Sequence, residues 1–426
     1  MTATVLFGSF ALLLLLSVPI GISLGVATLL AIMYSGKIPL DFLAQGLVTS
    51  IDSFPLMAVP FFILAGEIMA KGGLTERLFR VANTIVGNKT GGFAIATIIT
   101  CMFFAAISGS GPATVAAIGG MMIPAMVRQG YDKKFATAVV CAAGSLGVII
   151  PPSIPMVIYG VVGSVSIGNL FIAGVIPGIL VAVGLMIYAY LYSKKMGYKG
   201  TEEKSTLSGF LKSVWDAKWA LLVPVIILGG IYGGVFTPTE AAVIAVVYGL
   251  VASLLLYREL KIVELPKIFA DSALTTATVL IIIGTATAFG RLLTIEQIPQ
   301  MVTDVMLSIS ENPIIIILLI TLLLLIVGCF MDTLAAIIIL TPILLPIAMN
   351  IGIDPIHFGI IMVVNLAIGF ITPPLGVNLF VGSGISGLSI EAISRAIIPF
   401  FVAMLTTLII IIFVPQLSLY LISVLR

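Results

Sequence analysis

The chain repeats itself, and the repeat is a break in apolar sequence. Gly147-Val148-Ile149-Ile150-Pro151-Pro152 recurs 222 positions later as Gly369-Phe370-Ile371-Thr372-Pro373-Pro374. At the same offset Gly160 matches Gly382, Ser164 matches Ser386, Pro177 matches Pro399 and Pro124 matches Pro346. Each copy places a Pro-Pro pair inside a long apolar run. Proline removes a backbone donor and restricts the residue before it, so no continuous helix passes through either site. Matching Gly/Pro-interrupted segments in two halves of a membrane protein point to a transport site.

The setting of these breaks is a bilayer. Hydrophobic residues make up 60% of the chain and charged residues 9%, against about 25% charged in a soluble domain. The fold expected is an all-α polytopic membrane protein. Its N-terminal apolar run, Val5 to Tyr34 through Pro19, lacks a basic leader and is expected to be a retained membrane helix. Cys101, Cys141 and Cys329 all lie in apolar stretches without metal-ligand spacing, and His357 is the one histidine. A histidine-based metal or catalytic site therefore has no support, and the cysteines fit small core residues.

The basic residues fall into four clusters: Lys71, Arg77, Arg80 and Lys89; Arg128, Lys133 and Lys134; the linker 194–218 with Lys194, Lys195, Lys199, Lys204, Lys212 and Lys218; and Arg258, Lys261 and Lys267. Lys and Arg mark cytoplasmic loops, so all four are expected on that side. The stretch 91–127, broken at Ser108-Gly109-Ser110-Gly111-Pro112, then suits a hairpin that enters the membrane and returns. The broken segment 135–163 and helix 170–193 make two crossings, and 219–236 and 240–257 two more. Helix 273–293 leads outward to 294–312, which carries Glu296, Asp304 and Glu311 but no Lys or Arg. A second hairpin, 313–349, breaks near Gly328–Thr333. The broken segment 357–387 runs inward and helix 393–420 outward. The copies are thus expected in opposite orientations, as inverted-topology repeats. Two full crossings in place of each hairpin would leave the loops on the same sides.

Irregular backbone at membrane depth persists only where protein buries it or a cavity solvates it. The four breaks, 108–112, 144–155, 328–333 and 366–378, expose carbonyls and N–H groups that a continuous helix would use internally. Carbonyls with hydroxyls suit a hard cation such as Na⁺, and half-helix N-termini suit anions. Pairing breaks within each copy gives two candidate Na⁺ clusters: Ser108 and Ser110 with Gly144 and Gly147, and Gly328 and Thr333 with Thr372 and Asn378. The same residues could instead only allow close helix packing.

Charges within the apolar segments are few. Arg291 could hold a substrate carboxylate bidentately, or snorkel to the interface. Asp332, matched with Ser110 by the offset, could meet substrate or cation, or cap a half-helix. Ser153, directly after Pro151-Pro152, could present its hydroxyl to substrate. Thr237-Pro238-Thr239-Glu240 has the pattern of a capping box, and Glu67 pairs with Lys71 at i+4. No phosphate-binding Gly-x4-Gly-Lys-Ser/Thr loop is present, so an ion gradient or a partner must supply energy. The constellations an intramembrane enzyme needs are missing too.

With these residues in view, the chain resembles the large membrane subunit, DctM-like, of tripartite ATP-independent periplasmic (TRAP) transporters. Phe236-Thr237-Pro238-Thr239-Glu240-Ala241-Ala242, Ser108-Gly109-Ser110-Gly111-Pro112-Ala113-Thr114 and the two Pro-Pro motifs carry the likeness, which spans the whole chain. Among members it looks most similar to the sialic acid type, which makes sialic acid the first expected substrate, with C4-dicarboxylates, whose transporters share the motifs, next. The resemblance implies Na⁺-coupled import of a carboxylated solute across the bacterial inner membrane. It also implies two partners: a small four-helix membrane subunit, expected as a separate polypeptide, and a periplasmic substrate-binding protein. An elevator-type motion is implied as well. The scaffold would comprise 1–52, 170–272 and 390–426, and the transport domain the repeats 53–169 and 273–389. Ser108/Ser110 and Thr333/Thr372 would mark Na⁺ sites, while Arg291, Asp332, Ser153 and Ser108 would face substrate. A stand-alone Na⁺/organic-anion symporter or ion antiporter is the alternative expectation.

Overall fold

In the computed structural model, residues 1–36, 38–200, 206–310, 312–373 and 376–425 are described, with backbone alone for 306–309. The chain begins with α1 (Thr2–Leu15), α2 (Ile20–Ser35), α3 (Asp41–Thr49), α4 (Ala58–Lys71) and α5 (Leu74–Val86). The first hairpin is α6 (Gly92–Ser108) and α7 (Gly111–Arg128). The first broken helix is α8 (Lys133–Gly144), α9 (Leu146–Ile149) and α10 (Ile154–Val162). Then come α11 (Ile167–Met196), α12 (Leu207–Tyr232), α13 (Pro238–Val251), α14 (Leu265–Ile295) and α15 (Ile298–Ile309). The second hairpin is α16 (Pro313–Phe330) and α17 (Thr333–Asn350), and the second broken helix is α18 (Pro355–Gly369) and α19 (Val377–Ser386). The chain closes with α20 (Ile390–Phe413) and α21 (Gln416–Leu425). Among the described residues, nine helical stretches are long and apolar enough to cross a membrane.

The offset read from sequence holds for the helices themselves. Helix α7 and helix α17 cover the same span displaced by 222 residues, and α8 and α18 start at matching positions. Their caps match too. The Asp132 carboxylate accepts from the N–H groups of Lys134 (2.9 Å) and Phe135 (3.0 Å). Asp354, its counterpart, accepts from Ile356 (2.8 Å) and His357 (3.2 Å). Such caps satisfy donors that the first helical turn leaves open.

Burial separates a centre from a periphery. The most apolar window of the stretch Lys133–Val162 is entirely buried, whereas in Leu207–Tyr232 the buried share is 28%. The whole run from His357 to Gly369 in α18 is buried as well. The broken helices form the hub, and helices such as α12 turn apolar side chains outward, as a lipid-facing surface requires.

Three boundaries differ from expectation. The expected single N-terminal helix is two helices, α1 and α2, packed on one another. Ser17 has φ +60° and Pro19 caps the second helix, so proline and a left-handed residue turn the chain back. The terminal stretch 393–420 is likewise divided at Pro415, between α20 and α21. Segment 294–312 contains a helix, α15. Pro374, Lys204 and Glu311 lie outside the described residues.

The hairpin tips rest on the broken helices through glycine. A β-carbon on Gly147 would collide with the carbonyl of Ser110, and one on Gly369, at the matching position, would collide with the carbonyl of Gly328. Gly147→Ala is expected to lower stability by roughly 1–3 kcal/mol through overpacking, seen as a lower thermal unfolding midpoint in detergent. An unchanged midpoint would mean that the hairpin yields. The inverted repeat also makes a prediction for loop sidedness. Single cysteines at Gln129 and at its counterpart Ile351 should react with impermeant thiol reagents from opposite faces of the membrane. Labelling from one face would break the inverted arrangement.

Candidate functional site

The two hairpin tips meet at one cavity of about 480 Å³. Ser108, Gly109, Ser110 and Pro112 contribute from the first tip, and Asp332, Thr333 and Leu334 from the second. Val148, Ile154 and Pro155 of the first broken helix and Phe370 of the second complete the hairpin side. Opposite stand Gly66, Glu67 and Lys71 of α4 and Thr275 and Val279 of α14.

Both tips present a capped helix N-terminus. Ser110 accepts from Ala113 N–H (3.4 Å) at the start of α7, and Asp332 accepts from Leu334 N–H (2.9 Å) at the start of α17. Cap and cavity wall are therefore not alternatives for Asp332, which is both. Two half-helix N-termini at one cavity make a field that favours a bound anion, with the Asp332 and Glu67 carboxylates as local counterweights. Lys71 supplies the cationic side chain at this wall. Its Nζ lies 3.8 Å from Glu67 and 3.7 Å from Asp271, so neither pair is a tight hydrogen-bonded bridge. Lys71 and Thr275 were not singled out from sequence as site residues. Lys71 was hidden because it heads a basic cluster that marks a loop, and Glu67 because it forms the expected i+4 pair.

Two expected substrate contacts are placed elsewhere. Ser153 is buried, donates to the Val148 carbonyl (2.6 Å) and accepts from Met156 N–H (3.3 Å) as the cap of α10. The break after Pro151-Pro152 leaves the first turn of α10 without intrahelical partners; Ile154 N–H donates to the Gly109 carbonyl (3.3 Å), the Ser153 hydroxyl is spent on Met156, and Ser153 does not line the cavity. Arg291 is exposed and lines a different cavity of about 310 Å³, with Ser50, Leu56, Thr287, Thr294 and Pro342. It is not brought together with Asp332. Ser108 does stay at the tip. Thr114 Oγ1 donates to the Ser110 carbonyl (2.7 Å), which leaves Ser108 Oγ to donate to Thr114 Oγ1 (3.1 Å).

The first expected cation cluster is assembled. Gly147 lies against Ser110 and Thr114, and Gly144 faces Val115 and the Gly111 carbonyl. Asn378 joins this cluster rather than the second. Its Nδ2 donates to the Cys141 carbonyl (3.0 Å) and to Ser145 Oγ (3.3 Å), and its buried Oδ1 has no hydrogen-bond partner. The offset identifies which break Asn378 follows, but not which way its side chain reaches. The second cluster keeps Gly328, Thr333 and Thr372, with Gly369 against Gly328 and Thr372 Oγ1 donating to the Ile368 carbonyl (2.8 Å). Carbonyls, hydroxyls and an open amide oxygen are the donor set a hard monovalent cation takes.

Other singled-out residues are structural. Thr237 and Glu240 form the capping box, Thr237 N–H donating to Glu240 Oε2 at 2.8 Å and Glu240 N–H to Thr237 Oγ1 at 3.3 Å. His357 Nδ1 lies 3.1 Å from Ser418 Oγ and ties α18 to α21. Cys101 and Cys141 are buried free thiols and Cys329 a half-buried one. No group of three metal-ligating His, Cys, Asp or Glu side chains exists among the described residues.

Comparison with known proteins follows the same architecture. Residues 7–417 match the family described as tripartite ATP-independent periplasmic transporter, DctM component. The isethionate TRAP transporter permease of Oleidesulfovibrio alaskensis is 54% identical over 98% of this chain, which spans 66% of that protein. A C4-dicarboxylate TRAP transporter large permease of Pseudomonas aeruginosa is 45% identical, covering 93% of each chain. The sialic acid TRAP transporter large permease of Vibrio cholerae is 39% identical over 96% of each. The fold is similar to the Alcanivorax borkumensis YdaH transporter, whose crystal structure has an unusual topology (TM-score 0.65, 15% identity, 87% and 88% of the two chains). The chain belongs to the DctM family of TRAP transporter large permeases, and is a multi-pass inner-membrane transport protein rather than an enzyme.

Proposed function

We propose that this permease imports a small organic anion, handed over by a periplasmic binding protein and driven by Na⁺, together with a small four-helix membrane subunit. The observation that carries the reading is the cavity between the two hairpin tips. Two helix N-termini and Lys71 suit an acidic solute, and the donor sets behind the tips suit cotransported Na⁺, one or more at each cluster. Relatives named for isethionate, C4-dicarboxylate and sialic acid share the family. Their common chemistry is a sulfonate or carboxylate head. Identity puts isethionate first among them, ahead of C4-dicarboxylates and of sialic acid, the first expectation from the resemblance.

An elevator motion accounts for both cavities. Thr275 and Val279 of α14 border the tip cavity, while Ile283 through Thr294 of the same helix border the cavity with Arg291. From Thr275 to Arg291 the rise along a helix is about 24 Å. Sliding the tips outward along α14, which groups that helix with the scaffold and not with the expected transport segment 273–389, would carry the substrate from one cavity to the other, and Arg291 would meet its acid group in the outward position.

Two experiments test this. Uptake of labelled isethionate, succinate and N-acetylneuraminate into proteoliposomes should require the Na⁺ gradient, the small subunit and the binding protein together. Transport by the chain alone would favour the stand-alone symporter. Asp332→Asn keeps a cap, since Asn serves as well as Asp at that position, but removes the charge. The variant should retain its thermal unfolding midpoint and lose uptake about tenfold or more, the loss of one charge-assisted contact from the carboxylate to cotransported Na⁺ or to a substrate hydroxyl. Normal uptake would reduce Asp332 to a cap.

A further inference from the structure

A second polar cavity, about 380 Å³, lies where α5 meets the start of α12 and the residues after α13. Arg77, Arg80, Trp215, Asp216, Lys218 and Tyr257 form its walls. The Arg77 guanidinium stacks over Tyr257 (3.9 Å to the ring centre) and bridges to Glu259 at 2.6 Å. Arg80 is tied to Glu76 one turn away. Lys218 differs. Its Nζ sits 3.4 Å from the ring centre of Trp215 and 5.2 Å from that of Trp219, and it has no carboxylate partner among the described residues.

We propose that this cavity is a binding site for the phosphodiester headgroup of an anionic phospholipid. Three observations converge. The charge pattern puts this end of the molecule at the cytoplasmic face, where anionic headgroups are concentrated. Trp215 is 68% exposed, and an amphipathic ring on the rim of a cationic cavity belongs at headgroup level. Below it, Leu222 and Val225 of the same helix are exposed as well, an apolar track on which acyl chains can lie. That track selects a lipid over a free phosphate, which would gain nothing from it. Lys218 would meet the phosphate, and Arg77 and Arg80 would turn part of their charge toward it while keeping their glutamates. Asp216 on the wall limits the net attraction, so retention depends on Lys218.

The test is native mass spectrometry of the full chain, alone and co-purified with its small subunit, after exchange with phosphatidylglycerol or phosphatidylcholine. Phosphatidylglycerol should be retained, and Lys218→Gln should lower retention about fivefold, the effect of one basic residue near an anionic surface. Arg80→Gln, on the other wall, should also lower it, and Lys267→Gln, outside the cavity, should not. Equal retention by the Lys218 variant, equal retention of phosphatidylcholine, displacement by excess inorganic phosphate, or loss of the lipid when the small subunit is present would each overturn the proposal. The last would assign the surface to the protein partner.

Discussion

The structure depends on one constraint: broken backbone in a bilayer must find its hydrogen bonds inside the protein. The molecule meets it by setting its breaks against one another. Hairpin tips lean on broken helices through glycine, so backbone meets backbone where side chains would intervene. Caps then close the first turns: Ser110 and Asp332 at the tips, Ser153 after the Pro-Pro break. Among the buried polar groups that stay open in the described residues, one lies at the breaks and bears on the site. It is the buried Oδ1 of Asn378, and the tip surfaces border the cavity.

Much of this was legible because proline and glycine act locally. Pro151-Pro152 and Ser108-Gly109-Ser110 break a helix wherever they stand, so breaks, hairpins and their inverted order followed from sequence. Pro19 carried the same information. The apolar run around it masked the turn, because hydropathy measures length and not continuity. Cap chemistry was legible at Glu240, whose partner is three residues away, and less so at Ser153, where a free hydroxyl and a capping hydroxyl look alike in sequence.

The candidate site was harder to foresee wherever a side chain reaches across the chain. Lys71 belongs in sequence to a basic loop, yet the crossing of α4 and α14 places it on the cavity wall between Glu67 and Asp271. Arg291 is an isolated charge in an apolar helix, which makes it a functional candidate without saying which cavity it borders. A single sequence records which residues are charged, and the fold decides which cavity each of them borders.

The Asn378 bridge has a consequence for how the two copies of the repeat fit together. Its counterpart in the first copy, 222 residues earlier, is Met156, a buried thioether at the close approach to Gly174. One copy thus uses this position for apolar fit, and the other sends an amide into its sibling to hold Cys141 and Ser145. Two identical halves could not reproduce this: both would carry the thioether, or both the amide. The repeat survives in the backbone, while the side chains at this position differ and become complementary parts that tie the two halves together.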